Sequence, residues 1–197
     1  MQVATPDSTT LDSMARARQD SINRTMPGYV VDSMLPIEET IRRFQAKVGG
    51  SPVRELTGAS TSREALVRRF VTTLSVGDSL ELGAMLLNAR EFIDLVYPES
   101  PSTHPPYRQD PDLVWRMMQN PNASGLKRLI RRAGAQRTVL AGYGCDPKPE
   151  RQGANSFWRN CTLQLVSPKG DTSSHRLFGS VIERHGRFKF VSYRNEF

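Results

Sequence analysis

The sequence predicts an α+β fold: N-terminal helices packed on a C-terminal curved antiparallel β-sheet, cone-like, preceded by an N-terminal helical arm. Two observations carry this. Apolar residues recur at a helical period as far as Gly134 and at a period of two beyond it. Clusters of Pro, Gly, Ser and Asp separate the periodic runs at intervals short enough to join neighbouring elements. Charge bears on partners instead, and its positive surplus is confined to one part: residues 125–197 carry fourteen basic and five acidic side chains, against seven and seven in residues 1–60 and six and eight in 61–124.

Residues 1–60 read as an arm and linker, and 61–197 as the domain. In the arm, 9–23 is a helix with only Leu11, Met14 and Ile22 as apolar positions, too few to build a core. Pro27 and Gly28 make 26–32 extended. After Pro36, the spacing of Ile37, Ile41 and Phe44 predicts a short amphipathic helix stopped at Gly49-Gly50, and 51–60 is a polar loop. Thr61 with Glu64 three residues on has the capping-box pattern, and Leu66, Val67, Phe70, Val71 and Leu74 form the helical stripe behind it.

Asp78 or Ser79 caps the next helix, with Leu80, Leu82, Met85 and Leu86 as its apolar positions, before EFIDLVY and a proline-rich loop over 98–106. Two further helices are expected, one over 111–119 and, beyond Pro121, one over 124–133 with Gly134 at the position after its end. Then the period changes. Strands are predicted over 138–143, 156–166, 175–184 and 187–193, the last pair joined by the hairpin turn His185-Gly186. Long strands joined by short turns predict a meander.

The helix-first order, the run LVRRFVTTLSVGD at 66–78 and the closing run LFGSVIERHGRFKFVSYRN at 177–195 together resemble the nuclear transport factor 2-like superfamily. The resemblance covers 61–197. It implies a cone with a pocket between helices and concave sheet, used among members for catalysis, ligand binding, dimerisation or scaffolding. The stretch 91–134 is longer than that superfamily's usual second and third helices, which implies a cover over the cone's mouth.

Chemistry is sparse. His104, His175 and His185 stand in separate segments with no second ligand at i+2 or i+4, so no metal site is expected, and Gly142-Tyr143-Gly144 lacks the third glycine and the helix of a dinucleotide loop. No catalytic residue and no cofactor is assigned. Asp94, Tyr97, Tyr143 and His175 are the pocket candidates, because a cone interior shifts the pKa of such groups. Alternating aromatic and basic residues in the strands fit a base-stacking sheet, but a half-buried sheet gives that pattern equally.

Cys145 and Cys161 fall on neighbouring strands, where a disulfide would contribute about 3 kcal/mol and imply an oxidising, exported or periplasmic setting. Arg128, Arg131, Arg132, Arg187 and Lys189 form the expected basic surface, suited to an acidic protein or anionic headgroups. The expectation is a non-enzymatic interaction or scaffold module. Its partner would be a protein, such as a membrane-associated assembly on which it lies as an extrinsic subunit, or a second copy of itself. A small-molecule binder or enzyme using the cone pocket is the alternative, and no apolar run is long enough to cross a membrane.

Overall fold

The computed structural model describes residues 35–134 and 136–193, with scattered positions between 13 and 25. The chain divides into two compact units, Met1–Pro36 and Ile37–Phe197. Most of the expected helix over 9–23, the linker over 26–32 and the last four residues lie outside the described positions; those described between 13 and 22 are helical.

The second unit is α+β, helices first and two antiparallel sheets after. It begins before Thr61. Helix α1 (Ile37–Val48), grouped with the arm on sequence, buries Phe44 edge-on against Phe92, and Leu56 from the following loop joins the same core. Helix α2 (Arg63–Val76) is capped by Ser62, whose side chain accepts the Ala65 N–H, so Thr61 is not the cap and Glu64 is one residue short of N3. Glu64 instead pairs with Arg68 one turn on. Helix α3 (Ser79–Ala84) starts at Asp78, whose carboxylate accepts from the Leu80 and Glu81 amides. Its Leu80 points to solvent, contrary to the apolar face expected for it.

A true capping box occurs where it was not expected: Asn88 and Glu91 exchange side-chain and backbone bonds around the short helix α4 (Ala89–Glu91). It runs into a π-helix, Phe92–Val96, in which Tyr97 N–H reaches Phe92 C=O. The wider turn lets Phe92, Ile93, Leu95 and Val96 all face inward. The two helices expected after the proline-rich loop are one, α5 (Pro111–Ala133), with Pro121 inside it. At Gly125 an added Cβ would lie 1.9 Å from Tyr193 C=O, so only glycine allows α5 to cross there. Gly134 follows α5 as expected, with φ −63; a Cβ there would collide with Ile130 C=O.

Seven strands follow: β1 (Val139–Gly144), β2 (Glu150–Gln152), β3 (Asn155–Trp158), β4 (Thr162–Val166), β5 (Thr172–His175), β6 (Val181–Arg184) and β7 (Arg187–Phe190). They form a three-stranded sheet, β1-β4-β5, and a four-stranded sheet, β2-β3-β6-β7. The long strands expected over 156–166 and 175–184 are therefore each broken in two. Asn160, at φ 52, interrupts the first, and the halves join different sheets. His185 and Gly186, at φ 49 and 71, make the expected β6–β7 turn.

The two sheets are buried differently. One face of the four-stranded sheet, carrying Val181 and Phe190, meets α2, α3 and Tyr193 in an aromatic core where the Phe178 and Phe190 rings lie 4.3 Å apart. Its other face, carrying Phe157 and Ile182, meets α1 and the π-helix. The three-stranded sheet buries only Leu163 and Leu165 on one side and leaves most of β1 and β5 at least partly exposed.

Candidate functional site

Two of the four pocket candidates are structural ties. Asp94, turned outward from the π-helix toward α1, accepts from Gln45 Nε2 at 2.9 Å, Val53 N–H at 2.8 Å and Arg90 Nε at 2.7 Å. Both carboxylate oxygens are thus tied to structural donors, Oδ1 by one and Oδ2 by two. Tyr97 is fully buried and donates to Gln109 C=O; burial, then the nearby Asp110 carboxylate, raises its phenol to about 12. Tyr143 packs against the aromatic core from β1. These three do not converge on one cavity.

Lys189 leaves the basic surface altogether. Strand alternation places it opposite Ile182, on the face that meets α4, and there its ammonium lies 2.9 and 3.0 Å from the Glu91 carboxylate, both side chains nearly inaccessible. Glu91 also accepts from Thr57 N–H, Thr57 Oγ1 and Asn88 N–H, so the buried charge is fully solvated by protein. A second, less buried group joins Arg184 to Glu99, Asn155 and Leu95 C=O, with side chains of the ion pair 13% and 28% exposed and, among the described residues, no partner at Arg184 Nε. Arg131, Arg132 and Arg187 are exposed as expected, and Arg128 is half-buried.

His175 does line a cavity. At the end of α5, Arg132, Ala133 and Gln136 face Thr138, Leu165, Ser167, Ser173, His175 and Leu177 across a cleft of about 120 Å³. Leu165 and Leu177 form an apolar floor, and His175 Nε2 lies 2.8 Å from Ser173 Oγ on the rim. Such a cleft suits a small anion with a short apolar part. Among the described residues no group of three or more His, Cys, Asp or Glu could hold a metal ion.

A larger concavity escaped the sequence reading. Arg68, Val71, Thr72 and Ser75 on one side of α2 face Thr138, Val139 and Leu140 at the start of β1 across a groove of about 290 Å³. Helical spacing aligns the first set and the strand aligns the second, but some seventy residues separate them. Thr138 lines both groove and cleft.

β1 is an edge strand, and the other three edges are managed in ways it is not. β2 is three residues long and carries Glu150 and Arg151. The outer edge of β7 is bonded by Ser60, Met85 and Leu87, with Phe188 and Phe190 each both donating and accepting. β5 is short and polar, TSSH. β1, VLAGYG, is six residues without a charge, and Val139 is 66% exposed. A bulge between Leu140 and Gly142 interrupts its pairing with β4, and at its far end Cys145 and Cys161 form a disulfide one rung beyond the Gly144–Thr162 pair. The strand is thus pinned at one end and open along its side. No protein-family model, curated protein or solved structure matches this chain.

Proposed function

We propose that this chain is a non-enzymatic interaction module, of the nuclear transport factor 2-like kind, working in an oxidising compartment outside the cytoplasm and docking on a protein partner such as a membrane-associated assembly. The observation that supports this most is β1: a six-residue uncharged edge beside a groove, in a fold whose other edges are bonded, short, charged or polar. The interior carboxylates and phenol that a catalytic reading would use are engaged in buried structural bonds, which supports the same conclusion. The Cys145–Cys161 disulfide supports the compartment.

The test is purification of the full chain from its source cells without reductant. A stoichiometric protein partner is the expected result. A lone chain with a small molecule in the His175 cleft contradicts it, and free thiols at Cys145 and Cys161 remove the compartment. The convergence of Arg132, Ser167, Ser173 and His175 over Leu165 and Leu177 favours a second reading, a binder of small apolar anions, which that lone-chain outcome would support.

A further inference from the structure

We infer that the groove between α2 and β1 takes an extended, acidic segment of a partner protein, which adds to the three-stranded sheet as a further strand beside β1. This rests on the interaction-module reading and names the surface and the chemistry of its partner.

The ladder fixes which backbone groups of β1 face outward. Ser167 N–H bonds Asp171 C=O at the β4–β5 turn, and the paired register then turns Leu165 toward β5 and Val166 toward β1. Val139, opposite Val166, therefore points its amide and carbonyl inward to β4, and Leu140, opposite Leu165, points its own outward to the free edge. Those outward groups open on the groove, since Thr138, Val139 and Leu140 are its strand-side lining. A strand placed there would bond Leu140 and lay alternate side chains against Val71 and Val139.

Charge selects the occupant. The lining holds one charged residue, Arg68, and no carboxylate; Arg137, exposed, immediately precedes it on the strand side. Among the described residues Arg68 is held only by Glu64, with side chains 64% and 57% exposed, a pair that a competing carboxylate can replace at little cost. A second copy docking edge to edge would instead bring two basic surfaces together, since fourteen basic against five acidic residues lie in 125–197 of each copy. An acidic strand satisfies both the edge and the field.

The probe is a blocked peptide of about eight residues, roughly 26 Å when extended, alternating valine with aspartate. It is titrated into the full chain beside two controls: the same peptide N-methylated at alternate backbone nitrogens, and the version with lysine for aspartate. The expected result is saturable binding that slows exchange of the Leu140 amide, loss of at least about tenfold on N-methylation, and about threefold weaker binding of the lysine peptide, the scale of an exposed ion pair. Arg68→Glu, at an exposed position, is expected to reverse the charge preference without unfolding the chain, and Val139→Lys to favour the acidic peptide further. Equal binding of the N-methylated peptide, no binding by any of the three, or self-association that protects Leu140 without peptide would each overturn strand addition. A stoichiometric partner recovered from cells, together with failure of the peptides at Leu140, would leave the interaction module standing and remove this mode of docking.

Discussion

The four-stranded end of the molecule and the three-stranded end follow opposite rules. At the first, both sheet faces are covered, the β7 edge is bonded by Ser60, Met85 and Leu87, the buried Lys189–Glu91 ion pair joins β7 to α4, and a partly buried one joins Arg184 of β6 to Glu99 just after the π-helix. At the second, one face and two edges meet solvent, no buried ion pair crosses it among the described residues, and a disulfide holds β1 to β4. The contrast assigns tasks. The Lys189 and Glu91 charges, buried against each other and their neighbours, serve architecture, whereas a strand left open beside a helix serves recognition.

The comparison breaks most readily at Lys189. Lys189→Met strands the Glu91 carboxylate in the core and is expected to cost about 3–5 kcal/mol by chemical denaturation. Adding Glu91→Gln should recover at least half of that loss; no recovery would mean that the pair itself, rather than the stranded charge, holds the four-stranded end. Next in size, reducing Cys145–Cys161 is expected to cost about 3 kcal/mol, with increased amide exchange confined to β1 and β4. Loosening of β6 and β7 instead would show that the two ends are not separately supported. By contrast Val139→Lys, on the open edge, is expected to change stability by less than about 0.5 kcal/mol.

The smallest effect concerns pH. Hydrogen bonds from Arg42 and Arg43 lower the Glu39 carboxyl from 4.5 to about 2, and a hydrogen bond from Lys47 lowers Asp112 below its usual value. Both folded values are depressed, so their stabilisation is present above the ordinary carboxylate range and fades as the pH falls through the folded values. Acidification from pH 5 toward 2 should therefore lower amide protection, relative to intrinsic exchange at each pH, in α1 before β1 changes. Simultaneous change would contradict it.

Much of the fold is legible because its signals are local. Ile37, Ile41 and Phe44 mark α1, Asp78 marks the α3 cap, and His185-Gly186 marks the last hairpin. The breaks in the long strands are not, because Phe157 and Leu163 keep the same alternation across Asn160 while serving different cores. Nor is burial of Lys189 visible, since a period of two cannot reveal that both faces of a sheet are covered. The π-helix hides the direction of Asp94 by shifting the phase that places helical side chains. In the site, His175 and the cysteine pair were readable, but the α2–β1 groove was not, because it arises only when Arg68 and Val139 are folded against each other.

Backbone amide exchange of the full chain, with and without the alternating valine–aspartate peptide, tests the division of labour most directly. In the free chain the outward Leu140 amide should exchange rapidly while those of Phe188 and Phe190, bonded to Ser60 and Met85, stay protected; the peptide should slow Leu140 and leave Phe188 and Phe190 unchanged. Equal protection of β1 and β7 without peptide, or peptide protection that falls on β7 and leaves Leu140 unchanged, would contradict the account.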